Sequence, residues 1–160
     1  MSPARPKIDF VRLPEIPLET ILAHMSDPRV SVHLPLGTGR WTLESCAAFV
    51  AAKEACWVRD GLGHWAILCD GGYAGWGGFQ KEGDEWDFGL VLTAGAFGLG
   101  ARITRQALGI ARVDPRIPFV TFLLPPSRKH LGGLDRLGAT PLGAVDYAGE
   151  RFLKFRLDTA

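Results

Sequence analysis

An excess of charge of either sign is what this sequence most lacks. Its 18 Lys and Arg are met by 17 Asp and Glu, a formal net charge of +1 over 160 residues. Proteins that bind nucleic acid neutralise phosphates with a marked basic excess, so no nucleic-acid partner is expected. Cysteine is scarce as well. Cys46, Cys56 and Cys69 form no CxxC pair, and they match no metal or redox motif, so no metal is expected. Cys46 and Cys56 fall in one predicted helix, where the rise per residue separates them by about 15 Å, too far for a disulfide. Long apolar runs are missing, and none approaches the length of a membrane span. The opening segment MSPARPKIDF carries no apolar leader, so a cytoplasmic location with no membrane partner is expected.

What is present suits one domain spanning residues 1–160, with a hydrophobic fraction of 47% that suffices for a substantial core. The 20 Gly and 11 Pro are scattered, so they punctuate the chain as turns rather than form low-complexity tracts. Ile8 to Leu13 alternates as a first strand. Leu18 to Met25 follows as a short helix, stopped at the Asp27-Pro28 turn signal. Residues 30–41, with Pro35, Gly37 and Gly39, read as a loop. Thr42 is a good N-cap for a helix to about Arg59, whose apolar positions Leu43, Cys46, Val50 and Trp57 keep helical spacing, and Asp60-Gly61 supplies its stop.

His64 to Cys69 and Tyr73 to Phe79 read as two strands joined at Gly71-Gly72, a hairpin signal because such turns favour positive φ. Glu85 to Leu92 (EWDFGLVL) is the next strand. The glycine-rich stretch Gly95-Ala96-Phe97-Gly98-Leu99-Gly100 then leads into a helix ending near Val113, with Leu99, Ile103, Ala107 and Ile110 as its apolar stripe. Phe119 to Leu124 is a strongly apolar strand. A helix from about Ser127 to Leu137, closed by Gly138, precedes a hairpin of Leu142 to Tyr147 and Arg151 to Leu157 around Ala148-Gly149. The order β-α-α-β-β-β-α-β-α-β-β predicts a mixed α/β fold without repeats.

The strand, glycine turn and helix between Glu85 and Val113 carry the most chemistry. Gly98 and Gly100 let backbone approach a ligand closely, and the N-terminus of the helix that follows favours phosphate. A plain flexible turn is the competing reading. A Walker loop is excluded because no Lys-Ser or Lys-Thr follows. A dinucleotide fingerprint needs an acid ending the next strand, and that strand ends in Leu123-Leu124-Pro125-Pro126. A pyrophosphate of coenzyme A type survives this elimination.

Trp86-Asp87-Phe88-Gly89-Leu90-Val91-Leu92 followed by Phe97-Gly98-Leu99-Gly100 resembles the acetyl-CoA motif of the GNAT N-acetyltransferases. It is most similar to the branch that acetylates ribosomal-protein N-termini. Ser127 to Ala139 (SRKHLGGLDRLGA) resembles the family's next helix, and with the element order the resemblance covers nearly the whole chain. It implies a mixed, mostly antiparallel sheet of six or seven strands flanked by helices, with a CoA gap between two splayed central strands. It also implies acetyl-CoA as co-substrate and a primary amine as acceptor, either a protein N-terminus or a small amine. Dimers are common in families of this kind, so a homodimer is a further implied partner.

Mapped onto this chain, the pantetheine would run along Val91 and Leu92. The stretch Phe97, Gly98, Leu99, Gly100, Ala101 and Arg102 would hold the pyrophosphate, with Ser127 and His130 near it. Ser127 stands where the family has Asn, Leu134 where some members have a Tyr acid, and Arg102 where the turn motif has a small residue. A catalytically degenerate module that binds acyl-CoA or a protein partner is therefore the rival reading. Asp87 matches the acidic position that some members use as general base, and it shares a strand face with Glu85 and Gly89; the competing reading is an exposed carboxylate. Trp76, flanked by Gly75 and Gly77-Gly78, and His33, in the loop before the second long helix, are candidates for the acceptor pocket; core packing and a plain loop residue are their ordinary readings. For His130 the ordinary reading is a solvated helix start.

Overall fold

The computed structural model describes residues 5–34, 39–125 and 132–160. Seven strands form one sheet: β1 (Ile8–Val11), β2 (His64–Cys69), β3 (Gly72–Glu82), β4 (Glu85–Leu92), β5 (Phe119–Leu124), β6 (Thr140–Tyr147) and β7 (Glu150–Asp158). Their order is β1-β2-β3-β4-β5-β7-β6, and every neighbouring pair is antiparallel except β4 with β5. The helices are α1 (Leu18–Met25), α2 (Pro28–Ser31), α3 (Leu43–Asp60), α4 (Gly100–Arg112) and α5 (Gly132–Leu137). None of the described helices is long and apolar enough to cross a membrane.

Local chemistry accounts for the boundaries. Thr42 accepts a hydrogen bond from the Ser45 amide at 3.1 Å, and Ser45 Oγ accepts one from the Thr42 amide at 2.8 Å, so α3 starts on a reciprocal cap. It ends where Gly61, at φ 73°, donates its amide to the Trp57 carbonyl. The Asp27-Pro28 pair ends α1 and also starts α2, which occupies part of the expected loop. Asp27 accepts from the Arg29 amide, and Pro28 sits in the first turn, where its missing N–H costs nothing. The β2–β3 hairpin turns one residue earlier than its glycines suggest: the positive φ angles fall on Asp70 and Gly71, and Gly72 opens the strand. A short polar side chain such as Asp adopts that conformation more readily than most other non-glycine residues.

While β6 at the edge is exposed, the central strands of the sheet are buried on both faces. On one, Trp65, Phe79, Trp86, Phe88, Val120, Phe122, Phe155 and Leu157 pack with Ala107, Leu108 and Ala111 of α4. On the other, Ala66 and Trp76 meet Ile21 and Met25 of α1 and Cys46 and Val50 of α3. A third cluster joins Ile67, Ala74 and Leu92 to Ile103 of α4. Parallel pairing of β4 with β5 covers only Trp86, Asp87 and Phe88 opposite Val120, Thr121 and Phe122. Beyond it the strands part, leaving Gly89 to Leu92 without a β5 partner.

Candidate active site

The candidate functional surface follows from that parting. Alternation puts Glu85, Asp87, Gly89 and Val91 on the face that carries α1 and α3, and Val91 packs against that core. Thr121 Oγ1 donates to Asp87 Oδ1 at 3.0 Å across the last paired rows. The carboxyl is half-buried, and burial pushes its pKa up to about 7. The Thr121 bond and Lys154 pull it back down, while Glu82 and Glu85 push it further up. A carboxylate with this pKa, at the mouth of a gap, is poised to accept a proton near neutrality.

A polar chain borders Asp87. Lys53 Nζ, from α3, donates to Gln80 Oε1 at 2.9 Å, and Gln80 Nε2 donates to Glu82 Oε1 at 2.9 Å. Tyr147, at the tip of the β6–β7 hairpin, donates its hydroxyl to the same Glu82 oxygen at 2.9 Å. Lys154 on β7 pairs with Glu85 at 2.7 Å. Burial lowers the Lys53 pKa, partly offset by Cys56, Glu82 and Asp87. The arrangement joins α3, the β3–β4 hairpin and the β6–β7 hairpin around one carboxyl.

The glycine-rich stretch is not an open turn. Ala94–Leu99 forms a 3₁₀ helix that runs directly into α4, because Ala96 is buried and Leu99 packs beneath. No side-chain hydrogen bond caps the start of α4. Added Cβ atoms at Gly95 and Gly98 would meet open space, and one at Gly100 would lie 3.8 Å from Leu92 Cδ1, an ordinary contact. None of the three has positive φ. Among the described residues, internal packing therefore gives no reason for glycine at these positions. Phe97 and Ala101 are exposed, Arg102 is half-buried, and neither Arg102 nor Arg105 has an acidic partner among the described residues.

The other sequence candidates scatter. Trp76 is buried in the α1–α3 core, its indole N–H directed at Met25 Sδ at 3.3 Å and its ring against Phe49. His33 is exposed just past α2, edge-on to Phe97 with centroids 6.1 Å apart, so it stands beside the 3₁₀ turn. Ser127 and His130 lie outside the described residues. Leu92 is buried and Val91 half-buried. Thr121, Lys53, Gln80 and His64 are neighbours of the site that sequence reasoning missed. Their signal was strand register and, for Lys53, the packing of α3 on the sheet, neither of which a single sequence reveals. At the end of β4, α1 and the 3₁₀ turn enclose an open cleft of about 490 Å³ lined by His24, Asp27, Tyr73 and Thr93. There His24 Nδ1 lies 2.7 Å from the Tyr73 hydroxyl, and burial lowers the His24 pKa and raises that of Tyr73. Among the described residues no group of three or more His, Cys, Asp or Glu is placed to hold a metal ion.

No family model and no curated protein matches the sequence. Solved structures do match the architecture over nearly its full length. An acetyltransferase from Agrobacterium tumefaciens aligns with 98% of this chain and 96% of its own, at TM-score 0.75 and 20% identity. RimL, a ribosomal-protein alpha-N-acetyltransferase in complex with coenzyme A, aligns over 94% and 93% at TM-score 0.76 and 15% identity. An aminoglycoside acetyltransferase in complex with coenzyme A aligns over 96% and 94% at TM-score 0.73 and 14% identity. The chain has the fold of the GNAT acetyltransferases.

Proposed function

We propose that this protein transfers an acetyl group from acetyl-CoA to a primary amine by direct attack. The observation that carries the reading is the placement of Asp87, with its raised pKa, one row before β4 and β5 part. The residues present suit acetyl-CoA. The side of Gly89 to Leu92 that faces away from β3, beyond the β5 pairing, offers a strand edge to a pantetheine arm. Phe97 to Arg102, where glycines leave open space and Arg102 and Arg105 lack acidic partners, suits a pyrophosphate. The co-substrate supplies the activated thioester. The chain's own work is to orient the two substrates and to receive the proton that the ammonium sheds. Asp87 Oδ2 is the oxygen free to receive it, since Thr121 holds Oδ1.

The acceptor is a protein N-terminus or a small amine, as in the neighbours whose names specify a ribosomal protein or an aminoglycoside. The carboxylates of Glu82, Glu85 and Asp87 favour an acceptor that arrives as a cation. A second reading, a module that binds acyl-CoA without catalysis, draws on Arg102, Ser127 and Leu134, which depart from the family pattern. One experiment separates them. Acetyl-CoA at about one hundred times its Kd should stabilise the fold by about 2.7 kcal/mol, and a panel of amines should then release free CoA thiol. Stabilisation without thiol release favours the module; no stabilisation at millimolar acetyl-CoA rejects both.

A further inference from the structure

Glu82 is exposed at the end of β3, yet its carboxylate is tied down. Gln80 Nε2 and the Tyr147 hydroxyl both donate to Oε1, each at 2.9 Å. The two donors come from different elements, Gln80 from the same strand and Tyr147 from the end of β6. The Gln80 amide is itself oriented. Its oxygen accepts from the Lys53 ammonium at 2.9 Å, and an ammonium only donates, so the NH₂ end is turned to Glu82. Lys53 is anchored in turn, its ammonium 5.2 Å from the centroid of the Trp76 ring and 5.6 Å from that of Phe49. A glutamate on the surface ordinarily keeps its rotamer freedom, and fixing one costs entropy. Here α3 and the β6–β7 hairpin together hold one in place.

Register sets that fixed charge beside Asp87. Glu82 pairs with Glu85, and Gln80 with Asp87. Glu82 therefore stands diagonal to Asp87 on one face of the sheet, a separation of about 7–8 Å in an antiparallel pair. The other groups that face Asp87 offset one another or carry no charge. Glu85 on β4 pushes its pKa up and Lys154 on β7 pulls it down, and those two are joined at 2.7 Å. Thr121 on β5 contributes a neutral hydrogen bond. Burial and the Glu82 bond raise the Tyr147 pKa, which keeps the phenol neutral. Lys53, from α3, is held up by Asp87 and by reciprocity draws the carboxyl down. Among the described residues Glu82 has no ionic partner, and of the charges acting on Asp87 it acts most strongly.

We propose that Glu82 is a positioning residue for the acetyl-transfer base: its carboxylate, fixed by Gln80 and Tyr147, repels the Asp87 anion and so makes Asp87 a stronger proton acceptor. This rests on the acetyl-transfer reading. A carboxylate of ordinary acidity is ionised at neutral pH but holds a proton weakly. A second anion held nearby disfavours the ionised form, so the proton taken from the ammonium is bound more firmly. Tyr147 gives the β6–β7 hairpin a hand in this, since the hairpin supplies one of the two donors that keep Glu82 where its charge is felt.

The test titrates Asp87 in the folded full chain by carboxyl-carbon NMR, without substrate, and reads the acid limb of the pH–rate profile separately. Glu82→Gln keeps the shape and still offers an oxygen to both donors, but it removes the charge. The Asp87 midpoint and the acid limb should both fall by about half a pH unit at low salt. In the wild type, raising ionic strength from about 0.01 M to about 1 M should carry the midpoint down toward that of the variant. Tyr147→Phe keeps the ring and removes one donor, so it should move both readings the same way by a smaller step. Asp84→Asn removes an exposed acid from the turn between β3 and β4 and should leave both in place. An unmoved midpoint in Glu82→Gln or Tyr147→Phe, or an equal shift in Asp84→Asn, overturns the inference and leaves acetyl transfer standing. A wild type that acetylates no amine of the panel removes the proposed function and this inference with it.

Discussion

Replacing Asp87 with Asn should impair catalysis and strengthen the fold in the same molecule. Asn keeps the shape and still offers an oxygen to Thr121, so the variant removes little besides the ionisation. The folded-state pKa of about 7 lies above the ordinary value of 3.8. Between those values the native state holds more protons than the unfolded chain, so Asp87 lowers stability progressively as pH rises through this window. The penalty is complete above about 7. At about 1.4 kcal/mol per pH unit the ceiling is about 4 kcal/mol. Partial exposure of the side chain screens it, which reduces the expected gain for Asp87→Asn to about 1–2 kcal/mol at pH 8. For a chain of this length that raises Tm by roughly 2–8 °C. Thermal unfolding of both proteins at pH 8 and pH 4.5 measures it, and the gain should shrink to roughly a quarter at the lower pH, vanishing only below about pH 3.8. Turnover should meanwhile fall about 10²–10⁴-fold, with the rising limb of the wild-type pH–rate profile near pH 7 lost. An Asn variant equally stabilised at both pH values, or less stable at pH 8, would refute a carboxyl held above its ordinary pKa by burial.

Two further outcomes follow from the same geometry. Thr121→Val removes the hydrogen bond that favours the ionised carboxyl, so the acid limb should move to higher pH, with activity recovered at alkaline pH; an unmoved limb would detach Thr121 from the proton acceptor. Gly100→Val should abolish acetyl-CoA binding by calorimetry, although the first added carbon fits 3.8 Å from Leu92, whereas Gly109→Ala, in open space farther along α4, should bind normally and gain a few tenths to about 1 kcal/mol of stability. Equal affinity of Gly100→Val and wild type would show that no ligand approaches there.

The architecture was legible because each element announces itself locally. Thr42 and Gly61 mark the ends of α3, and Ala148-Gly149 marks the last hairpin, where both residues have positive φ. The strand of Glu85 to Leu92 and the helix after it stand where alternation and the apolar stripe put them. Asp87 was legible as an acid on the correct face. Its raised pKa was not, because that depends on burial by β5, β7 and α3, far away in sequence. Glu82 carried no local signal at all. An acid before a turn is ordinary until register sets it diagonal to Asp87. The glycine-rich stretch misled in a smaller way, since glycine suggests an open turn, but Ala96 and Leu99 find apolar partners and coil it into a 3₁₀ helix.

The parting of β4 from β5 also gives the sheet a mechanical seam. Four strands lie on one side and three on the other, and only three residue pairs stitch the halves together. Along that seam the Phe88 and Phe122 rings, 5.9 Å apart at the last stitch, act as a rivet on the α4 side. A pull that separates the halves would concentrate on those few rungs rather than spread along a full ladder. The tear would start at the open end, beside Gly89, and run toward Trp86. A molecule wedged between the strands would supply rungs that the chain lacks, so whatever fills the gap also sets how firmly the two halves move as one plate.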